Sequence, residues 1–152
     1  MSDATSQRAS AETLELTIFA VGDLLCALEN LRVREISGLR PVTPVYHAPP
    51  HVRGVVNLRG QIMTVIDLGV RFGIGPVPTD RKTRILVVPA GDEDVGLIVD
   101  SVEDVMNADP SDLEPPPSNL GTVSGHFFRA ILKSSEDLIA IVDLDKLLDD
   151  KG

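Results

Sequence analysis

The segment Val52 to Leu68 narrows the possible folds of this chain more than any other. Two β-prone runs, Val52 to Leu58 and Gln61 to Asp67, are joined at Arg59-Gly60. So short a connection is a hairpin signal, and Gly60 supplies the permissive backbone that a tight turn demands. The same kind of pattern recurs upstream. Leu14, Leu16, Ile18 and Ala20 alternate at a strand's period of two, and Gly22-Asp23 can turn the chain into a second strand, Leu24 to Leu28. Leu31 to Ile36 alternates again, with one slip. Pro41, Pro44, Pro49 and Pro50 then exclude regular helix. Leu68 to Phe72 predicts one helical turn ending at Gly73, and the polar, Gly/Pro-rich stretch Gly73 to Lys82 reads as an internal linker.

Beyond that linker the pattern restarts. Arg84 to Pro89 and Val95 to Val99 read as strands around a Gly91-to-Asp94 turn, and Val102 to Met106 continues them. After a Pro-rich break, Val123 to Lys133 and Leu138 to Val142 predict a hairpin, closed by a short helix over Asp143 to Asp150. The order of features in the two halves is shared, which points to an internal duplication. With a shift of 71 residues Leu28 overlies Val99, Leu31 overlies Val102, Val52 overlies Val123 and Gly54 overlies Gly125. After a longer second hairpin the shift becomes 76, so that Ile66-Asp67-Leu68 overlies Val142-Asp143-Leu144. The expected organisation is a tail over residues 1–12, then one domain over 13–150 with pseudo-repeated halves 14–72 and 83–149. Short strands repeated in this way suggest two small β-barrels packed together. Features present in both halves are then demands of the fold, whereas Asn57-Leu58-Arg59-Gly60 occurs only in the first.

Composition removes several functions. An apolar fraction of 43%, mostly Val, Leu and Ile, is enough for a packed core of pleated surfaces. A formal charge of −9, without Trp and with one Tyr, offers nucleic acid neither a basic stripe nor a stacking platform. Cys26 is the only cysteine, so no internal disulfide or thiolate metal cage can form, and its apolar neighbours suggest a small buried hydrophobe. No apolar run reaches the ~18 residues of a membrane span, and Met1 to Ala11 lacks the apolar core of a signal peptide, so a cytosolic protein is expected. His47 and His51 flank Pro49-Pro50 and cannot share a helical metal site, and His126 stands alone in a strand-like run. Gly73-Ile74-Gly75 leads into Pro76 instead of a dinucleotide-binding helix, and Asp92-Glu93-Asp94 lacks the alternation of a calcium loop. Neither catalysis nor a cofactor is expected.

The remaining constellation resembles the chemotaxis coupling protein family, CheW. Val52-Arg53-Gly54-Val55-Val56-Asn57-Leu58-Arg59-Gly60 carries most of the resemblance, with Met63 to Leu68 and Arg71-Phe72 behind it. Val33-Arg34-Glu35-Ile36, Thr83 to Val88 and Val95 to Val102 support it, and the match runs from about Leu14 to Leu148. The resemblance implies a mostly β fold of two intertwined five-stranded, SH3-like barrel subdomains with short helical turns. It implies a non-catalytic scaffold that couples the cytoplasmic tips of methyl-accepting chemoreceptors to the regulatory domain of a chemotaxis histidine kinase. Such a protein would be cytoplasmic, recruited to membrane-associated receptor arrays, with neither direct membrane insertion nor nucleic acid. A coupler for a gliding or pilus-driven output is the nearest alternative, and a small-molecule-binding barrel a more distant one.

A receptor tip is a helical hairpin, and an apolar groove is a standard seat for a helix. The receptor-binding candidates are Val33, Glu35, Gly54, Asn57, Arg59 and Gly60. Val33 would line the groove or serve the core. Gly54 would admit close approach, or answer a fold requirement shared with Gly125. Glu35 and Arg59 have opposite charges and would pair at the rim. Gly60 would serve the turn. The sequence assigns no kinase-contact surface.

Overall fold

A computed structural model describes residues 13–149. The expected tail over residues 1–12 and the last three residues lie outside that range. The thirteen described strands are β1 Leu14–Val21, β2 Leu24–Glu29, β3 Glu35–Gly38, β4 Val52–Leu58, β5 Gln61–Asp67, β6 Arg84–Ala90, β7 Glu93–Val99, β8 Ser101–Ala108, β9 Leu113–Glu114, β10 Asn119–Leu120, β11 Val123–Ser124, β12 Phe128–Ser134 and β13 Asp137–Val142. Two single helical turns, Leu68–Arg71 and Leu144–Leu147, follow β5 and β13. The architecture is mostly β, as expected.

Two large sheets and the two-stranded β10-β11 ribbon make up the described strands. One has the order β3-β6-β7-β5-β4, and the other β8-β1-β2-β13-β12-β9. Without the two-residue β9, the second order repeats the connectivity of the first. Each sheet takes its opening hairpin, β1-β2 or β6-β7, from one half of the chain and its other three main strands from the opposite half. Each sheet has two seams between the contributions: a parallel one, β13 with β2 or β5 with β7, and an antiparallel one, β8 with β1 or β3 with β6. The halves are thus interleaved, and neither of these two sheets is built from the strands of one half alone.

Alternation of side chains explains why this arrangement buries both faces of the central strands. On β6, Ile85 and Val87 face a core inside the five-stranded sheet, with Val56, Leu58, Met63 and Val65. Leu86 and Val88 face the opposite way, into the core between the sheets. On β1, Leu16 and Ile18 point into the second sheet's own core, while Phe19 and Val21 point between the sheets. Phe72 joins the halves there, its ring 5.4 Å from those of Phe127 and Phe128. Arg71 adds a polar stitch: its Nε donates to the carbonyl of Leu147 at 2.9 Å and its Nη2 to that of Asp149 at 2.7 Å.

The ladders correct the internal alignment in three places. The turns Val21↔Leu24 and Ala90↔Glu93 set a shift of 69 for the opening strands, which puts Leu28 on Leu97, not Val99, and Glu35 on Asp104. The bridge Thr43↔Val55 matches Glu114↔Ile131, so the shift of 71 holds at Thr43. From His51 onward it is 76, because the N–H of Asp67 donates to His51 as that of Asp143 donates to Phe127. The additional residues lie in the Pro-rich connection, not in a longer hairpin. Both hairpins close over two residues, Arg59-Gly60 and Ser135-Glu136. Val123, expected to open a long strand, sits in the β10-β11 ribbon, and β12 begins at Phe128. The stretch 73–82 departs from a linker as well. Val77 is 3% exposed and belongs to the core of the five-stranded sheet.

Candidate functional surface

The β4-β5 hairpin projects its tip by means of backbone geometry that its residues accept. Arg59 and Gly60 have φ of 55° and 83°, the positive pair that a primed two-residue turn requires. Asn57 closes the turn, its Oδ1 accepting from the N–H of Gly60 at 2.9 Å. Asn57 and Gly60 therefore shape the tip, and Arg59 is the side chain that the tip presents.

Glu35 meets it from the far edge of the same sheet. On β3, Glu35 stands opposite Val87, so its side chain shares the inward face of a core residue. Such a carboxylate at the sheet's mouth needs a partner or water. Arg59 Nη2 lies 3.2 Å from Glu35 Oε2, with side-chain exposures of 77% and 28%. β3 and β4 are opposite edges of the five-stranded sheet, so this contact also records how far the sheet curls. At that exposure the pair contributes only ~0–1 kcal/mol to stability. In the other sheet the corresponding positions are Asp104 and Ser135, which provide no cation.

At the base of the hairpin, a strand's length from its tip, lies a buried charge cluster. Asp67 is 2% exposed. Its Oδ1 accepts from the N–H of Val70 at 3.1 Å and caps the helical turn, and both its oxygens accept from the N–H of Val77. Arg53 pairs with Asp67 and also donates to the carbonyl of Val77 at 2.9 Å. This cluster holds the loop after the helical turn against the base of the hairpin.

The other candidates separate into two groups. Gly54 is buried with φ of 149°, and a Cβ on it would lie 2.1 Å from the carbonyl oxygen of Thr43. Its open side is filled by the chain's own Thr43 segment, which makes its role one of packing. Gly125 is crowded likewise, 1.9 Å from the carbonyl oxygen of Pro117, but it is not the register mate of Gly54, which is Ala130. Val33 is partly buried and packs on the core between the sheets, leaving part of its side chain at the surface.

Residues that the sequence reading did not single out stand beside the tip. Ile62 is 69% exposed and pairs across the ladder with Asn57. It lines a cleft of ≈ 260 Å³ with Val55, Thr64 and Asp94, and Arg34 Nε approaches Asp94 Oδ1 at 3.2 Å. An apolar residue in a strand looks the same in sequence whether it faces core or water. Leu31, 95% exposed on the 3-10 turn Asn30–Arg32, escaped for the same reason. Among the described residues no helix is long and apolar enough to cross a membrane.

Comparison with known proteins agrees with the fold. A family described as the CheW-like domain matches residues 15–152. The chain is 35% identical over 133 residues to a chemotaxis protein CheW of Rhizobium meliloti (strain 1021), covering 88% of this chain and 86% of that protein. It is 33% identical over 147 residues to a chemotaxis protein CheW of Klebsiella aerogenes, covering 95% and 89%. Among solved structures, the scaffolding protein TtCheW from Thermoanaerobacter tengcongensis superposes with a TM-score of 0.83 at 33% identity, over 90% of this chain and 88% of that one.

Proposed function

The chain belongs to the CheW-like domain family, and from that premise we propose that it is a non-catalytic scaffold. It couples the cytoplasmic tips of methyl-accepting chemoreceptors to the regulatory domain of a chemotaxis histidine kinase. On this reading it works in the cytoplasm, at membrane-associated arrays, through contacts and geometry alone. The kinase performs the phosphoryl transfer.

The observation that carries the receptor half of this reading is the Arg59–Glu35 pair at 3.2 Å, drawn from opposite edges of one sheet. A guanidinium held at an exposed tip can stay on Glu35 or be shared with a partner's carboxylate, and such pairs set partner choice and register. Partly exposed Val33 and exposed Ile62 supply apolar surface nearby, suited to the face of a helical hairpin. Asn57 and Gly60 hold the tip in shape.

The test is a pull-down with a chemoreceptor tip fragment, using Arg59→Ala and Glu35→Lys. Each variant should bind about tenfold or more weakly, equivalent to about 1.4 kcal/mol, while its melting temperature stays within a few degrees of the parent. Unchanged binding would sink the assignment of this surface, and a collapsed melting temperature would make Arg59 structural. Co-purification with a kinase regulatory domain tests the other half of the bridge, and Arg59→Ala should leave it intact.

A further inference from the structure

The interleaved fold lets one half be compared with the other. In the first half, the backbone of Val77 is gripped at both ends: its N–H donates to the Asp67 carboxylate at 3.2 and 3.1 Å, and its carbonyl accepts from Arg53 at 2.9 Å. Its side chain packs with Val65 and Ile98. The register carries Arg53 to Arg129, Val65 to Ile141, Asp67 to Asp143 and Ile98 to Glu29. These four residues line a single cleft of ≈ 170 Å³.

Both gripping groups are present there; Asp143 repeats the pose of Asp67, and Arg129 is turned to Glu29. Asp143 Oδ1 accepts from the N–H of Lys146 at 3.2 Å, as Asp67 Oδ1 does from Val70. Arg129 rests 3.6 Å from Glu29, a long contact for a charge-assisted pair. Among the described residues, no segment is gripped by Arg129 and Asp143 as Val77 is by their mates.

Two replacements define what the cleft accepts. Gly69 lets the chain return closely in the first half, where a Cβ would lie 2.1 Å from the carbonyl oxygen of Gly75. Its mate is Asp145, which also lines the cleft and whose side chain forbids that path. The occupant must therefore enter as a separate segment. Glu29 in place of Ile98 puts a carboxylate where Val77's neighbour was apolar, and with Asp143 and Asp145 it makes three carboxylates against the two guanidiniums of Arg32 and Arg129 in the lining, which favours a cation.

We propose that this cleft is a second docking site, which receives an extended segment of a partner protein with lysine at the gripped position. Its N–H donates to Asp143 and its carbonyl accepts from Arg129. The lysine stem lies along Ile141 and its ammonium reaches Glu29. Arg129 exchanges Glu29 for the peptide carbonyl while Glu29 gains the ammonium, so neither group is left without a hydrogen-bond partner. The site lies in the sheet opposite to the Arg59 tip and is independent of the receptor reading.

The test uses the whole chain and a C-terminally labelled fluorescent tetrapeptide, Pro-Lys-Pro-Thr, which is residues 76–79 with Val77→Lys and omits the Gly75 carbonyl that Asp145 would meet. Anisotropy titration at low salt should show saturable binding. Glu29→Gln and Arg129→Ala should each weaken it about tenfold, and the valine parent peptide should bind about tenfold more weakly. Arg59→Ala should change nothing, which separates this site from the receptor surface. Arg129→Gln replaces Arg129→Ala if the latter lowers the melting temperature. Absence of saturable binding, or affinity unmoved by both substitutions, overturns the proposal. Equal binding of the valine peptide overturns the lysine specificity.

Discussion

Asp67 combines near-complete burial with four polar contacts: to Arg53, to the N–H of Val70, and from both oxygens to the N–H of Val77. Removing it leaves Arg53 without its carboxylate, uncaps the helical turn and releases Val77 from the sheet's core. Asp67→Ala should therefore cost about 3–5 kcal/mol in a urea titration. A loss under about 1 kcal/mol would show that water replaces the carboxylate at little cost. Gly54→Ala places a methyl group against the carbonyl of Thr43 at a φ that L-residues avoid, and should cost about 1–3 kcal/mol. Cys26 is fully buried, and burial pushes its thiol well above the ordinary cysteine range. It should resist iodoacetamide at pH 8 in the native state and react once the protein unfolds, as mass spectrometry would show. Modification without unfolding would mean that the core between the sheets opens locally.

The β4-β5 hairpin shows how much of an element can be read from its residues. Alternation and the Arg59-Gly60 turn were legible because both are local, and the ladder runs through Leu58↔Gln61 as that reading requires. Its mate, β12-β13, was misread at its start. Val123-x-Gly125 imitates Val52-x-Gly54 in sequence, and only the ladders show that Phe128 stands in the place of Val52. Gly60 offers a clean test of turn chemistry. Its φ is 83° and a Cβ would meet nothing within 4 Å, so Gly60→Ala costs only backbone strain, about 1–2 kcal/mol by chemical denaturation. A larger loss would mean that the hairpin slips register.

At the scale of the molecule, interleaving makes each half dependent on the other. Loss of β6-β7 removes the middle of the five-stranded sheet, and loss of β1-β2 removes the middle of its companion. A fragment ending at Thr79 and one beginning at Asp80 should each lack cooperative unfolding by circular dichroism. Mixed in equal amounts, they should recover the β spectrum, because the exposed Asp80-to-Lys82 segment is a surface connection that the cores do not use. Independent folding of either fragment would contradict the shared-sheet description. The Arg71 bonds to the carbonyls of Leu147 and Asp149 belong to the same cross-half coupling.

Local physics was enough to specify the β1-β2 and β4-β5 hairpins, the breaks, the two helical turns and the Arg59 tip, since each depends on residues close in sequence. The Glu35–Arg59 pairing was legible as a charge complement, but its distance depends on how far the five-stranded sheet curls. Residue order alone specifies a repeated, mostly β chain with one distinctive tip. Tertiary structure decided which half supplies which strand, because pairing between strands far apart in sequence leaves no periodic trace in either one. It also decided which apolar residues face water, as with Ile62 and Leu31, and which glycine serves packing, as with Gly54. The fate of the 73–82 stretch was settled in the same way. Its composition reads as a linker, but Asp67 and Arg53 grip the backbone of Val77 and turn the stretch into core.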